Sequence, residues 1–199
     1  MMISTEAELD ALYGHPVPTS ILKEIDHISE DYGRYIAASP FVILATSGPE
    51  GLDCSPRGDP AGFVRIADPK TLMIPDRRGN NRIDSLRNIV RDPRVALLFL
   101  IPGSGTTMRV NGRAQLSVDL DLCATFAMDS KIPKCVIVVH VERAYTQCKK
   151  ALVRSRLWDT TVADPELPTV GTMMQNLDAG FDGEAYDAEY PERMARTLY

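Results

Sequence analysis

Residues 71–101 read TLMIPDRRGNNRIDSLRNIVRDPRVALLFLI, and this stretch decides the fold that we predict. It begins with a short β-rich run, TLMIP, and ends with a longer one, RVALLFLI. Between these runs Ile83, Leu86 and Val90 recur at helical spacing, which predicts a helix from about Asn81 to Arg91 with these three side chains facing the core. A strand, a polar turn, a helix and a second strand therefore follow one another in this order.

The second strand of this stretch is apolar on both of its faces. Its alternating sets are Val95, Leu97, Phe99 and Ile101 on one face, and Ala96, Leu98 and Leu100 on the other. Because successive strand residues point to opposite faces of a sheet, both faces need cover. One face would fill the core, and the other needs a helix or a partner subunit.

Five further β-rich runs lie on either side, separated by turns rich in Gly, Pro and Asp. They are FVILATS, LDCSP and GFVRI before this stretch, and TMRVNGRAQLS and CVIVVHVERAY after it. Such a pattern of short strands is typical of a sandwich or barrel. Two more helices are predicted at about 119–128 and 147–157. Together these elements predict a mainly β protein with α additions.

The run TMRVNGRAQLS alternates between an apolar and a polar face. Its polar face carries Thr107, Arg109, Asn111 and Arg113. Since residues two apart share a face of a strand, two arginines share this one.

The two ends of the chain predict additions to this core. Thr5 and Glu8 have capping-box spacing ahead of a short helix that Gly14 ends. A second helix is predicted from Ile21 through Ile28 to about Ser39. After Asp159 the chain is acidic and only weakly periodic. We therefore expect one domain over residues 1–199, with an N-terminal helical cover at 1–39 and a C-terminal extension at 160–199 that wraps the body or a partner subunit.

Composition and charge exclude several classes of protein. A net charge of −5 argues against coating nucleic acid or an anionic membrane. The acidic start, MMISTEAELDALYG, lacks a secretory pattern, and no apolar run reaches membrane-spanning length. The scattered cysteines favour reduced thiols in the cytoplasm, with a reactive Cys148 beside two lysines as an open alternative to an ordinary thiol. His15, His27 and His140 lack the spacing of metal ligands, so no metal is expected.

A basic cluster follows the strand TLMIP and predicts an anion site. Arg77, Arg78 and Arg82 stand beside Gly79, Asn80 and Asn81 at the predicted helix start. Free N–H groups at a helix start and guanidinium groups both favour a phosphate. The alternative is a solvated helix start with Asn80 or Asn81 as N-cap.

A second polar strand face lies upstream. Ser55 and Arg57 fall on the same side of the run LDCSP and its continuation. Together with Arg82 and Arg109, Arg57 suggests a bound anion, because charged groups at a barrel wall need a partner. The alternative is pairing with nearby carboxylates, for which Asp53, Asp59, Asp76 and Asp84 are the candidates.

The joined order of these motifs resembles a known family. The motifs are SPRGD, GFVRI, TLMIPDRRGNNRIDSLRNI, DPRVALLFLIPG, TMRVNGRAQLS and CKKALVRSRLWD. From about Pro40 to Asp159 they resemble the pyridoxamine 5′-phosphate oxidase-like FMN-binding split barrels. The resemblance implies a six-stranded Greek-key split β-barrel at 40–159 and a homodimer with two FMN sites between its subunits.

The resemblance also implies which residues bind the cofactor. Asn80, Asn81 and Arg82 correspond to the motif that holds the FMN phosphate, and Thr107 stands where a polar side chain contacts the flavin. Lys150, Arg154 and Trp158 would lie near the flavin, with the supplying subunit left open; a C-terminal helix whose basic residues match its dipole is the alternative. The full expected FMN site is Ser55, Arg57, Asp76, Arg77, Asn80, Asn81, Arg82, Ser85, Thr107, Arg109, Lys150, Arg154 and Trp158.

The expected function is that of an FMN-dependent oxidoreductase acting on an unidentified small substrate. The alternative is a non-catalytic flavin- or haem-binding or sensing module, because no side chain is an obvious general base. Pyridoxamine phosphate is not the expected substrate, since the C-terminal R-L-H-D-R-like motif of the family's founding enzyme is replaced here by RSRLWD. Nucleic-acid binding through Arg77 to Arg94 conflicts with the acidic balance and the lack of interleaved aromatic residues.

Overall fold

The computed structural model describes residues 2–159 and 167–199. Seven antiparallel strands form one sheet in the order β2-β1-β5-β6-β7-β4-β3. The strands are β1 (Phe41–Gly48), β2 (Gly51–Gly58), β3 (Arg65–Asp68), β4 (Thr71–Pro75), β5 (Arg94–Leu100), β6 (Thr107–Ser117) and β7 (Val136–Gln147). The helices are α1 (Glu6–Tyr13), α2 (Pro18–Leu22), α3 (Glu30–Ala38), α4 (Asp84–Arg91), α5 (Leu120–Thr125), α6 (Lys150–Ser155), α7 (Val170–Leu177) and α8 (Gly183–Thr197).

The mainly β architecture with added helices is confirmed, whereas the expected strand count of six is corrected to seven. Each of the seven predicted β-rich runs contains a strand, and the short run at Arg65–Asp68 pairs with β4 as a strand of its own. Within residues 2–159 and 167–199, no ladder joins the end strands β2 and β3, so the hydrogen-bonded sheet is open. Its edge strand β2 tolerates Pro56, which cannot donate to a ladder.

The inner face of the sheet forms the core. Val42 and Leu44 of β1 pack there with Leu97 and Phe99 of β5, and each is buried. Burial of each such side chain stabilises the fold by about 1.5–3 kcal/mol. The outer set of β5, Ala96, Leu98 and Leu100, is only half-buried. The second apolar face of this strand therefore stays partly open within one chain.

A bulge in the β6–β7 ladder requires a glycine. The register shifts between Asn111 and Gly112, and a Cβ added to Gly112 would lie 2.0 Å from the carbonyl oxygen of His140. No side chain fits at that distance, so Gly112 lets the two long strands remain paired on both sides of the bulge.

The N-terminal segment matches the prediction in α1 and departs from it afterwards. Thr5 caps α1 and forms the predicted capping box with Glu8. The single helix predicted from Ile21 to Ser39 is wrong, because Ile25 pairs its backbone with Ala144 of β7 and thereby separates α2 from α3. Neither α1 nor α2 has a buried residue, so the covering contacts come from α3 and its buried Ile36.

Helix α4 begins later than predicted. Its first residue is Asp84 rather than Asn81, because Ile83 adopts a left-handed conformation (φ 52°) that a right-handed helix cannot include. The predicted core set is therefore corrected. Ile83 and Val90 are exposed, Leu86 is half-buried, and the buried residues of α4 are Ser85 and Ile89.

The predicted helices at 119–128 and 147–157 are both present but shorter, as α5 and α6. In the tail, α7 and α8 pack at a close approach of Gly171 and Gly183, where an added Cβ would lie 2.2–2.5 Å from the facing backbone oxygen. The tail's residues 160–166 lie outside the described residues. In the described parts of the chain, none of the helices has the length and apolar character that a bilayer-spanning segment needs.

Candidate functional site

A cleft of about 980 Å³ lies between β2, the end of β4, the loop to α4 and the segment 131–135. It contains eight of the thirteen predicted site residues. These eight are Ser55, Arg57, Asp76, Arg77, Asn80, Asn81, Arg82 and Ser85. The fold therefore brings together the β2 residues and the basic loop, which are separated in sequence by about twenty residues or more.

One wall of the cleft is a chain of short polar side chains. Ser85 donates to a carboxylate oxygen of Asp53 at 2.7 Å, and its hydroxyl lies 3.0 Å from that of Ser55. Asp53 and Ser55 lie on the side of β2 that continues the core face, whereas Ser85 is buried at the start of α4. This network joins the helix to the edge strand and fixes the positions of both hydroxyl groups.

Arg57 carries an unsatisfied donor beside this wall. Its Nη1 lies 2.7 Å from Oδ1 of Asp76, and both side chains are about four-fifths buried. Its Nε is buried without a hydrogen-bond partner. An unpaired buried donor costs about 1–3 kcal/mol, and more when the group is charged. A buried donor of this kind is expected to bond to a ligand or to an ordered water molecule.

Two further arginines of the cleft are paired with carboxylates. Nε of Arg77 lies 2.6 Å from Asp59, and its Nη1 donates to the carbonyl oxygen of Phe126 at 2.7 Å. Nε of Arg82 lies 2.8 Å from Asp84, with most of the Arg82 side chain exposed. In this structure a carboxylate therefore pairs with each of Arg57, Arg77 and Arg82, as the alternative to anion binding expects. An exposed pair such as Arg82–Asp84 contributes only about 0–1 kcal/mol and rearranges readily.

The loop Asn80–Arg82 precedes α4 instead of opening it, which corrects the predicted location. The side chain of Asn80 accepts a hydrogen bond from the amide of Arg82 at 3.1 Å, and Asn81 has a left-handed φ of 62°. Ile83, the residue that caps α4, offers no side-chain hydrogen bond. The first N–H groups of α4 therefore have no side-chain cap on the side that lines the cleft.

The cleft is locally basic in an acidic protein. Six basic side chains line it: Arg57, Arg77, Arg78, Arg82, Lys131 and Lys134. Three acidic ones accompany them: Asp53, Asp76 and Asp84. The surplus of three positive charges contrasts with the net charge of −5 for the whole chain. Such a field favours an anion of more than one charge.

Sequence reasoning missed the far wall of the cleft, which comes from distant segments. Lys131 directly follows a two-residue turn in which Asp129 and Ser130 both have positive φ. Lys134 and Cys135, a few residues further along the chain, line the same wall. Burial and the nearby Asp76 carboxylate raise the pKa of the Cys135 thiol to about 11. The basic character of the two lysines was the one available signal. Tyr199 also lines the cleft and gave no signal, because it lies over sixty residues away.

The five other predicted residues form a separate group outside this cleft. Nε1 of Trp158 donates to the carbonyl oxygen of Ser104 at 2.6 Å, which fastens it to the β5–β6 turn. The Arg109 guanidinium lies 4.9 Å from the ring centre of Tyr145. Thr107 is buried at the start of β6, and Lys150 and Arg154 are exposed on α6.

Thr107 and Arg109, the two residues of this second group that belong to the sheet, lie on the face opposite to Arg57. Arg57 pairs in register with Val42, which pairs with Phe99, which pairs with Met108. These four positions share the inner face, so the neighbours of Met108 in β6 point to the outer face. Arg109 therefore cannot reach the cleft of its own chain.

A family model described as pyridoxamine 5′-phosphate oxidase matches residues 28–148. The chain belongs to this family. Its match covers all seven strands and the whole of the basic loop, whereas α1, α2, α6, α7 and α8 lie outside it. No curated protein matches the chain.

Several solved structures are similar to parts of this chain. HupZ from Group A Streptococcus is 18% identical over 61% of this chain and 94% of its own (TM-score 0.49). A Clostridium acetobutylicum protein related to general stress protein 26, of the pyridoxinephosphate oxidase family, is 12% identical over 59% and 86% (TM-score 0.47). An FMN-binding protein from Syntrophomonas wolfei is 12% identical over 58% and 84% (TM-score 0.46). The family assignment rests on the family model.

Proposed function

We propose that this chain is an FMN-binding flavoprotein and an oxidoreductase acting on a small molecule. In this proposal the large cleft holds the flavin phosphate, and residues 40–159 form the FMN-binding split barrel. The observation that carries the proposal is the buried, unpartnered Nε of Arg57 in a cleft with a surplus of positive charge.

The chemistry of the cleft fits a terminal phosphate. A phosphate monoester carries close to two negative charges at neutral pH and accepts several hydrogen bonds. Donors of the required kind are available from Arg57, the hydroxyl of Ser55, the amides of Asn80 and Asn81, and the guanidinium of Arg82. Because Arg82 is exposed and held by one surface ion pair, it can exchange Asp84 for the phosphate at small cost.

A symmetric homodimer would complete the site. Thr107 and Arg109 lie on the outer face of the sheet, beside the half-buried apolar set of β5. A second subunit covering this face would bury Leu98 and its neighbours. It would also bring the partner subunit's copies of the five residues that lie outside the cleft toward the site. We therefore assign Thr107, Arg109, Lys150, Arg154 and Trp158 to the cofactor site across the subunit interface.

Bound flavin supplies the redox chemistry, which is transfer of a hydride or of single electrons. The chain's own contribution is to anchor the phosphate at Arg57, to hold the Ser55 and Ser85 hydroxyls in place and to keep this wall of the cleft rigid. No general base is assigned, because flavin enzymes do not require one.

The proposal is tested on protein purified with its native cofactor. Cofactor released by heat and separated by chromatography should be FMN, because the basic cluster suits one terminal phosphate. Recovery of FAD or haem from fully loaded protein would overturn the cofactor assignment. Anaerobic mixing with NADH and with NADPH, followed by flavin absorbance, then separates an oxidoreductase from a binding or sensing module that is not reduced.

A further inference from the structure

A second, smaller cleft of about 450 Å³ adjoins the first. Arg57, Arg77, Arg78 and Tyr199 line both clefts, so the two spaces share part of their walls. The smaller cleft has apolar walls from Phe63, Pro75 and Leu198 and a cationic side chain, Arg78, with no ion-pair partner among the described residues. A concave pocket of this size in which polar groups converge beside apolar walls is typical of a small-molecule site.

The polar groups of this cleft form one connected and ordered network. The Tyr199 hydroxyl donates to Oδ1 of Asp59 at 2.8 Å, and Oδ2 of Asp59 accepts from Nε of Arg77 at 2.6 Å. The Asp59 carboxylate is 2% exposed, and its backbone amide is tied to the carbonyl oxygen of Pro40. A buried carboxylate that accepts from both side chains, on a residue whose backbone is also held, gives Arg77 and Tyr199 fixed orientations.

The hydrogen-bonding groups that remain unpaired in this cleft determine which ligand it can recognise. Because its proton is directed at Asp59, the Tyr199 oxygen is left as an acceptor toward a ligand. The hydrogen bond to Asp59 also raises the pKa of Tyr199, so the phenol stays protonated at neutral pH. On the other side, Nη2 of Arg77 has no partner among the described residues, and Arg78 adds a second cation. The cleft therefore offers one acceptor and the cationic donors of Arg77 and Arg78 beside its apolar walls, while Arg57, which also lines it, is paired with Asp76.

We propose that the smaller cleft binds a small planar carboxylate that carries a hydroxyl or amine donor on the far side of its ring. The carboxylate pairs with Arg77 and Arg78, the ring packs against Phe63 and Leu198, and the donor bonds to the Tyr199 oxygen. A role of this ligand as the substrate rests on the proposed flavin function, whereas its binding does not.

The test uses 4-hydroxybenzoate as the probe and benzoate, which lacks the donor, as its matched comparison. Both are titrated calorimetrically into the full-length protein carrying its cofactor. The wild-type protein should bind 4-hydroxybenzoate about fivefold or more tightly than benzoate, since one hydrogen bond is worth about 1 kcal/mol. Tyr199→Phe should abolish this preference, and Arg78→Gln should weaken both ligands alike by about tenfold. Arg91→Gln, in an exposed arginine outside both clefts, should change neither affinity.

Specific results would overturn the proposal. One is the absence of millimolar binding of 4-hydroxybenzoate to wild type, and another is a preference over benzoate that survives in Tyr199→Phe. Equal weakening by Arg78→Gln and Arg91→Gln would show that the affinity loss comes from the general surface charge and not from a contact in this cleft. The flavin content of every sample is measured by absorbance, so loss of FMN, which tests the proposed function, is distinguished from loss of the second ligand.

Discussion

Arg57 and Asp76 join the edge strand β2 to the end of β4 through a 2.7 Å contact between Nη1 and Oδ1. The amide of Asp76 in turn donates to the carbonyl oxygen of Cys135, which holds this end of β4 against β7. The ion pair thus fixes the Arg57 guanidinium, with its unpartnered Nε, at the wall of the large cleft. The Arg57–Asp76 ion pair therefore contributes both to the stability of the sheet edge and to the proposed phosphate site.

Replacing Arg57 should therefore affect both binding and folding. Arg57→Gln should weaken FMN binding by about tenfold to a hundredfold, because a charge-assisted hydrogen bond contributes about 1.5–3 kcal/mol. It should also lower the free energy of unfolding, since the Asp76 carboxylate, mostly buried, loses its counter-charge. Flavin fluorescence titration and thermal unfolding measure the two effects.

The double variant Arg57→Gln/Asp76→Asn separates these effects, because it removes both charges and should recover part of the stability without recovering FMN affinity. Arg94→Gln is the control, since Arg94 is an exposed arginine paired with Asp92 outside the cleft. An Arg57→Gln variant that binds FMN as tightly as Arg94→Gln does would remove Arg57 from the site.

The half-buried outer face of β5 should be the dimer interface. Leu98→Asp places a charge on this face and should yield a monomer with weakened FMN binding, because the proposed site needs the partner's residues. Light scattering combined with size-exclusion chromatography measures the mass, and flavin fluorescence measures affinity. Val90→Asp, in an exposed residue of α4, should remain dimeric. A wild-type monomer at micromolar concentration with FMN tightly bound would contradict the shared site.

Local patterns in the sequence predicted the strands and the capped helix α1 because those elements depend on residues close together in the sequence. The alternation in β6 and the Thr5–Glu8 capping box are of this kind. The helix through Ile25 was wrong because a backbone pairing with Ala144, more than a hundred residues away, overrode a helical period. The late start of α4 depends on the left-handed Ile83, a conformation that residue type alone does not predict.

The basic half of the candidate site was predictable because Asn80, Asn81 and Arg82 are consecutive and the resemblance covered them. The far wall was not, because Lys131 and Tyr199 reach the cleft only through tertiary folding. Lys131 is placed by the two-residue turn at Asp129 and Ser130, and its amino group approaches the carbonyl oxygen of Tyr199 at 3.4 Å. Neither contact has a periodic signature in the sequence.

The cysteines should differ in their reactivity toward iodoacetamide. A backbone hydrogen bond from Lys150 lowers the pKa of the exposed Cys148 below its ordinary value of 9.0, so more thiolate is present at a given pH. Cys135 should react more slowly than Cys148, because burial holds its pKa near 11. Mass spectrometry of peptides over a pH series measures each rate. Alkylation of Cys135 in the folded protein as fast as that of Cys148 would contradict this order.

The most direct test of the phosphate site compares FMN with riboflavin in wild type and in Arg82→Ala. Riboflavin has the same ring system and lacks the phosphate, so loss of a phosphate contact weakens FMN alone, whereas unfolding or lost ring contacts weaken both. Titration of apoprotein, with circular dichroism to verify folding, should show FMN affinity reduced by about tenfold or more in Arg82→Ala and riboflavin affinity nearly unchanged. Equal FMN affinity in Arg82→Ala and wild type, or wild-type protein that binds riboflavin as tightly as FMN, would contradict the assignment of this cleft to the flavin phosphate.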